Sequence, residues 1–414
     1  MAAPEPRAVV VTGLGTINPL GPNTAGTWQA LREGRCAVTG LDGTVLGGFD
    51  LPVRIGASLA LDPGEQLEPR LRRRLDRASQ CALVAARQAW EHAGAPPVDA
   101  GRLAVSVSPG MGPVLSVMGA WDALRSHGPR RVPPTAVPAL MPNAPAAAVG
   151  IELGARAGVH APVSACASGA EAIAYGADLI TLGRADVVVA GGTDAALHPM
   201  TIASFAAMRA LSRRNEEPAT ASRPFAPDRD GFVLGEGAGV LVLEAAEHAQ
   251  ARGARTLAVL AGAAVTADAY DVARPEPEGT EQARALHLAL ERAGLSAERV
   301  GHVNAHATST PAGDIVEASV LARTLPCAAV SATKSATGHL LGGAGGLEAV
   351  LTVMALGSRF LPGTLLPGGL DPDVAALGLD VVGPGGRPAP DLEAAVSTSF
   401  GFGGHNVALA FTRP

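Results

Sequence analysis

The stretch Val163-Ser164-Ala165-Cys166-Ala167-Ser168-Gly169 sets one thiol between two segments of different periodicity. Upstream, Gly158 to Val163 (GVHAPV) is a short apolar run closed by small residues, the pattern of a buried strand. Downstream, Ala170 to Leu182 (AEAIAYGADLITL) has helical spacing with Ala and Leu dominant. The stretch reads as strand, tight turn and helix, with Cys166 at the turn. A thiol at a helix N-terminus meets unpaired backbone N–H groups and the positive end of the helix dipole, and both favour thiolate. Small neighbours leave a substrate room to reach the sulfur. A lone cysteine in apolar surroundings is also ordinary core filler. Residues far along the chain weigh between the two.

On the N-terminal side, residues 8–20 (AVVVTGLGTINPL) read as a buried strand and a Gly-rich turn. The spacing is not Gly-x-Gly-x-x-Gly and no acidic partner follows at the expected distance, so a dinucleotide site is rejected. Residues 24–35 predict a helix, and 66–94 a long amphipathic stretch that opens with Arg70, Arg72, Arg73, Arg74 and Arg77. These arginines are either a solvated helix face or a docking patch for an acidic partner. Arg130 with Arg131, and Arg209 with Arg213 and Arg214, extend the second reading. Leu103 to Val105 predicts a strand, followed by a rigid loop from Ser106 to Pro113 (SVSPGMGP) that contains Met111. Prolines from 132 to 148 exclude a continuous helix until about Ala144, leaving an extended segment packed against something else, a subunit partner among the candidates.

Beyond the Cys166 helix come strands at 185–192 and 239–243, then a new series: strand 257–265, helix 281–294, strand 302–305. The order of elements repeats without a sequence repeat. We therefore expect a duplicated α/β fold with one half over residues 1–254, carrying the cysteine, and the other over 255–414.

Composition narrows the class. A chain of 414 residues, 47% apolar, can bury a large core, and its net charge of −6 argues against a nucleic-acid binder. Cys36, Cys81, Cys166 and Cys327 share no motif spacing, so neither zinc site nor disulfide framework is expected and a reducing, cytoplasmic setting fits. The start, Met1-Ala-Ala-Pro-Glu-Pro-Arg7, has no signal-peptide pattern, and apolar stretches break well short of a membrane span. Of 32 basic residues only Lys334 is a lysine. In a chain that otherwise meets every need for positive charge with arginine, that ammonium is a candidate functional group.

Lys334 lies in the second of three Gly/Ser/Thr-rich stretches that follow strand-like runs. The first spans His302 to Glu317 and holds His306, Thr308, Thr310, Gly313 and Asp314; the second spans Ser331 to Glu348 and holds Lys334 and His339; the third spans Ser397 to Asn406 and holds Phe400, Gly401, Phe402 and Gly403. In doubly wound sheets such loops gather at the carboxyl edge of the strands. Four loops would then present Cys166, His306, Lys334 with His339, and Phe400 around one cavity. A thiolate nucleophile needs an oxyanion hole, and two neutral imidazoles can donate N–H bonds to a second developing oxyanion. A lysine beside Glu317 and Asp314 would balance charge and orient the imidazoles. The histidines lack metal-ligand spacing.

With these residues in hand, the chain resembles the β-ketoacyl-acyl-carrier-protein synthases of the type II, long-chain condensing class. The resemblance runs from VVVTGLG through ACASG, RPFAPDRDGFVLGEGAG, NAHATSTPAGD, TKSATGHLLGGAGG and SFGFGGHN, in that order. It implies the thiolase fold, two α/β halves in a five-layer α-β-α-β-α sandwich. It also implies roles: Cys166 as acyl-accepting nucleophile, His306 and His339 as decarboxylation and oxyanion histidines, Lys334 with Glu317 as their supporting ion pair. Phe400 would be the gating residue before the mobile loop Gly401-Phe402-Gly403-Gly404. Thr308 and Thr310 would contact the phosphopantetheine arm of an acyl carrier protein, and Met111 would gate the acyl pocket. Arg70, Arg73, Arg74, Arg130, Arg131, Arg209 and Arg213 would receive the carrier. No cofactor is implied beyond the carrier's own arm. A homodimer, or a dimer with a same-fold subunit, is implied, with the segment around Ala136 at the two-fold. The sequence departs from the family pattern at Met111, Pro113, Ala307, Thr398 and Asp271, and Met111 with Pro113 bears on chain-length preference.

The reaction so implied is acyl transfer to Cys166, then decarboxylation of malonyl-carrier protein and attack of the enolate on the acyl-cysteine, in fatty-acid or in type II polyketide and polyene synthesis. A non-catalytic polyketide-synthase partner normally lacks the cysteine. A coenzyme-A thiolase needs a second cysteine in a C-terminal Gly-rich loop, and Cys327 lies outside any such loop. A carrier-binding module without chemistry would leave malonyl thioesters intact. The coenzyme-A-primed initiating class uses Cys-His-Asn, which Thr337-Gly338-His339 disfavours.

Overall fold

In a computed structural model that describes residues 7–414, the valine-rich runs become buried strands, where branched side chains pack well. The reading of a leaderless start rests largely on the first six residues and lies outside the described residues. One set of strands is β1 (Val9–Ile17), β2 (Leu103–Ser108), β3 (Gly158–His160), β4 (Val187–Asp194) and β5 (Gly237–Ala245), in the spatial order β3-β2-β4-β5-β1. The other is β6 (Ala258–Ala267), β7 (His302–Asn304), β8 (Ala329–Ser331), β9 (Asp380–Val381), β10 (Ala394–Gly401) and β11 (His405–Thr412), in the order β6-β11-β10-β7-β8-β9. Leaving out the edge strand β9, both sets place their strands third, second, fourth, fifth, first. In each set the fifth strand runs antiparallel to its neighbours and the rest pair in parallel. Antiparallel pairing of Val10 with Val259 and Val11 with Ala258 joins them into one 11-stranded sheet.

Helices α1 (Arg77–His92) and α2 (Ala144–Leu153) cover the outer face of the first set, and α4 (Thr280–Ala293) with α5 (Pro311–Thr324) that of the second. Between the sets lie α3 (Ser168–Thr181) and α6 (Gly342–Ser358), which touch strands of both. This is the α-β-α-β-α layering of the thiolase fold. Helix α6 (GGAGGLEAVLTVMALGS) is apolar nearly all round because its position in the middle layer buries every face. Its glycines set the closeness of the layer. A Cβ at Gly169 would stand 2.6 Å from the Gly342 carbonyl oxygen, and one at Gly192 would stand 2.1 Å from it. Only glycine lets β4, α3 and α6 meet backbone to backbone, and that contact brings the Cys166 turn up to the segment after His339.

Several expected elements are refined. Residues 66–94 form two helices, Pro69–Arg74 and α1, because Asp76 caps α1 through the Ala78 N–H at 2.9 Å. The strand expected at 103–105 runs to Ser108, so the loop begins only at Pro109. The proline-rich segment still holds a short helix, Ala136–Leu140, with Pro138 in its first turn, where no intrahelical N–H is lost. The third Gly-rich stretch is the turn of a β10–β11 hairpin, with Phe400 on the strand itself. Among the described residues no helix is long and apolar enough to cross a membrane.

Candidate active site

Cys166 stands in a single 3₁₀ turn, Ala165–Ala167, between β3 and α3. The Ser168 hydroxyl pins that turn, donating to the Ala165 carbonyl at 2.7 Å and accepting the Ser164 N–H at 2.9 Å. Ala165 holds φ 52°, a strained value for a residue with a Cβ. The expected thiolate-favouring setting is not what results. Burial pushes the Cys166 thiol up to about 11, only partly opposed by Lys334 and by the N–H groups of Phe402 and of Cys166 itself. The desolvation of a closed pocket outweighs the helix terminus. Because the thiolate is the reacting form and its fraction keeps growing below that value, alkylation of Cys166 should climb about tenfold per pH unit from pH 7 to 10. Peptide mass spectrometry against the exposed Cys327 measures it, and a plateau near 8.5 would contradict the burial argument.

The hairpin turn closes over the thiol. A Cβ at Gly401 would lie 2.5 Å from the Ser164 carbonyl oxygen and 3.1 Å from the Ala167 nitrogen, both backbone atoms of the Cys166 turn. Gly401→Ala must therefore displace that turn. We expect it to slow thiol acylation about 100-fold, the scale for a misplacement near 1 Å; rapid-quench acylation would measure this.

His306 follows β7 on a loop held by its backbone. Glu317 on α5 accepts the His306 N–H at 2.8 Å and the Ala307 N–H at 2.6 Å, while the Thr398 hydroxyl donates to Glu317 at 2.7 Å. Thr398, a departure from the family pattern, thus completes the clamp. The Lys334 ammonium donates to His306 Nδ1 at 3.3 Å. An ammonium has only donors, so Nδ1 accepts and the ring proton sits on Nε2. Burial, then Lys334, holds both His306 and His339 well below the usual imidazole range, so both rings are neutral N–H donors. Their ring centroids are 5.4 Å apart, and Phe400 lies 6.0 Å from His306. Cys166, His306, His339 and Phe400 line one cavity of about 240 Å³, joined by Glu317, Thr308, Thr310, Gly401 and Phe402.

The ion pair expected between Lys334 and Glu317 does not form. Lys334 pairs with Glu348 on α6, a residue the sequence reading quoted without assigning it. Glu317 is occupied by the His306 loop, and Asp314 accepts from the Phe225 and Ser309 N–H groups at 3.0 and 3.1 Å, with Arg229 beside it. A signal was available: Glu348 is the only acid between Asp314's loop and Asp371 besides Glu317, on a helix otherwise without charge. Asp194 was also passed over. Buried at the end of β4, it accepts the N–H groups of Gly110 (2.9 Å), Met111 (3.3 Å) and Gly342 (2.7 Å), tying the Met111 loop to α6.

Two expected pocket residues lie elsewhere. Met111 is 41% exposed and does not line the cavity of the single chain. Gly403, at φ +87°, sits at the hairpin turn and donates to the Val272 carbonyl at 2.9 Å instead of facing the cavity. Asp271 caps the neighbouring turn through the Ala273 and Arg274 N–H groups. Arg70, Arg73, Arg74, Arg130, Arg131, Arg209 and Arg213 are all exposed, and Arg209 follows Met208 at the cavity wall. Arg77 and Arg214 are not free for a partner: the first pairs with buried Glu236, the second with Asp228.

The model of the β-ketoacyl synthase N-terminal domain matches residues 6–249, and that of the C-terminal domain residues 257–366. The chain is 44% identical over 409 residues to a 3-oxoacyl-acyl-carrier-protein synthase 2 of Mycobacterium tuberculosis, covering 98% of this chain and 97% of the relative. Among solved structures it is similar to a type II PKS acyl-carrier protein in complex with its ketosynthase bound to the hexaketide (TM-score 0.91, 29% identity, 99% of this chain and 100% of the other). It is also similar to the ishigamide ketosynthase/chain length factor (TM-score 0.88, 28% identity, 99% and 100%). A buried thiol facing two neutral imidazoles, on a fold and sequence shared over the full length, leads to one assignment: the chain belongs to the β-ketoacyl synthase family.

Proposed function

We propose that this chain is a β-ketoacyl-acyl-carrier-protein synthase that extends an acyl chain by two carbons through decarboxylative Claisen condensation. The observation that carries the reading is the common cavity of Cys166, His306 and His339, with His306 Nδ1 occupied by Lys334 so that the ring proton is on Nε2. In the first half, Cys166 Sγ attacks an acyl-carrier thioester. The bond to the carrier sulfur breaks, the Sγ–acyl bond forms, and the thiol proton leaves on the carrier's thiol. The N–H groups of Cys166 and Phe400 hold the acyl oxygen.

In the second half, malonyl-carrier protein loses its terminal carboxylate as carbon dioxide, and the electron pair of the broken C–C bond forms an enolate. His306 and His339 donate to its oxygen. The enolate carbon attacks the acyl carbonyl, and collapse of the adduct expels the Cys166 thiolate, which recovers a proton. Phe400 gates the site, Thr308 and Thr310 contact the phosphopantetheine arm, and Gly401, Phe402 and Gly403 form the loop that closes it.

The partner is an acyl carrier protein, received by the seven exposed arginines named above. The chain works as a dimer: β3 leaves the sheet edge unpaired, and Ile151, Val159 and Val163 are exposed beside it. Met111 would gate the acyl pocket in that dimer. The division of the halves falls at 254/255, in the connection between β5 and β6, and the setting is cytoplasmic. The relative's name, a 3-oxoacyl-acyl-carrier-protein synthase, agrees with two-carbon extension on a carrier, here read as fatty-acid elongation. The type II PKS ketosynthase and the ketosynthase/chain length factor among the neighbours support the second reading, a polyketide-type ketosynthase subunit working with a chain-length-factor-like partner. Products from acyl carriers of graded length distinguish the two.

His339→Ala tests the core of the proposal. It is expected to acylate Cys166 but to condense 10²- to 10³-fold more slowly, the cost of one lost oxyanion donor. Condensation at the wild-type rate would overturn the proposal.

A further inference from the structure

Both histidines have their backbones fixed, but their rings are held differently. His306 has Lys334 on Nδ1. His339 is 2% exposed, and among the described residues neither of its ring nitrogens has a hydrogen-bond partner. What holds that ring is packing. Phe205, Phe232, His339, His306 and Phe400 form an edge-to-face series with centroid separations of 5.2, 5.3, 5.4 and 6.0 Å and interplanar angles of 79, 82, 85 and 68°. Phe232 is the one side chain in it besides His306 that packs on His339.

The same residue belongs to a strap that fixes His339 in the backbone. The His339 N–H donates to the Val233 carbonyl at 2.8 Å, and the Gly235 N–H donates to the His339 carbonyl at 2.9 Å. One step upstream the strap grips the other histidine loop. Gly231 N–H donates to the Ser309 carbonyl at 3.0 Å, and Arg229 donates to the carbonyls of Thr310 (3.3 Å) and Pro311 (3.0 Å). The strap itself is anchored within its own half of the chain, with Phe232 N–H on the Ala210 carbonyl and Phe232 carbonyl on the Ser212 N–H.

We infer that residues 229–235 are a positioning strap for both histidine loops, and that Phe232 is the positioning residue that sets the ring orientation of His339. The inference rests on the proposed reaction, in which the His339 ring donates to the enolate oxygen. An imidazole with two free nitrogens can present either one, or rotate both away. Edge-to-face contact with two neighbouring rings removes that freedom, as each ring edge seeks the face of its neighbour. No hydrogen bond is needed on the ring, so its polar atoms stay available for the reacting oxygen.

The test is a double-mutant cycle on malonyl-carrier decarboxylation, with thermal unfolding recorded for each variant. Phe232→Leu removes the ring and keeps most of the volume; Phe232→Met does the same with an unbranched chain and stands in if the leucine variant does not fold. Each is expected to lower decarboxylation about tenfold in the wild-type background and less than twofold in a His339→Ala background, because there the ring to be oriented is gone. Equal losses in both backgrounds, or none in either, would overturn the inference. Absence of decarboxylation in the wild-type protein would instead overturn the proposed reaction, so the two failures are distinct.

Discussion

Cys166→Ala is expected to abolish covalent acylation and to cut condensation by about 10⁴- to 10⁶-fold, the scale for removing a covalent nucleophile. Decarboxylation of malonyl-carrier protein should persist, because in the proposed reaction the enolate oxygen is served by His306 and His339 and not by the sulfur. Sγ contributes little to the packing of the histidines: His306 is held by Lys334 and by the Glu317–Thr398 clamp, and His339 by the segment Val233–Gly235. Intact-mass measurement after incubation with acyl-carrier protein, together with release of labelled carbon dioxide, reads both halves. An adduct of undiminished yield on the variant would mean that acylation occurs elsewhere and would remove Cys166 from its role.

The second large effect concerns the chain's only lysine. Lys334→Met leaves the Glu348 carboxyl buried with no cation, and breaking a buried pair by removing one partner costs about 3–5 kcal/mol. Burial already pushes Glu348 up to about 7, with Lys334 opposing it; without the lysine it rises further. A carboxyl whose folded pKa lies above its unfolded value binds its proton more tightly when folded, so stability is lost as pH rises through that range. The Tm deficit of Lys334→Met should therefore be larger at pH 8 than at pH 5. Adding Glu348→Gln removes the buried charge and should restore most of the Tm.

Activity follows a different rule. With Lys334 gone nothing fixes the His306 tautomer, and condensation should fall about 100-fold in the single and in the double variant alike. Recovery of condensation along with Tm in the double variant would show that Lys334 acts only through Glu348.

Much of this was legible before any coordinates. Local rules sufficed for the Cys166 turn, where an apolar run meets a helical one across small residues, and for the strands, whose valine runs match a sheet covered on both faces. The solitary lysine marked itself by composition. The boundary at Asp76 was missed because a cap is a single hydrogen bond inside a continuous amphipathic pattern. Which carboxylate meets Lys334 was also misread. Glu317 and Glu348 both follow histidine-bearing loops, and nothing in the order of residues says which helix turns its acid toward the ammonium.

The chain by itself thus determined the inventory: the thiol, the two imidazoles, the ammonium, and the alternation of strands and helices that carries them. Only the tertiary structure decided the pairings and the protonation states. Those depend on how separate loops and helices are set against one another, 14 residues apart for Lys334 and Glu348 and 28 for Lys334 and His306, and on how completely water is excluded from them. The thiol's preference for its proton and the neutrality of both rings come from that exclusion, which no local pattern encodes.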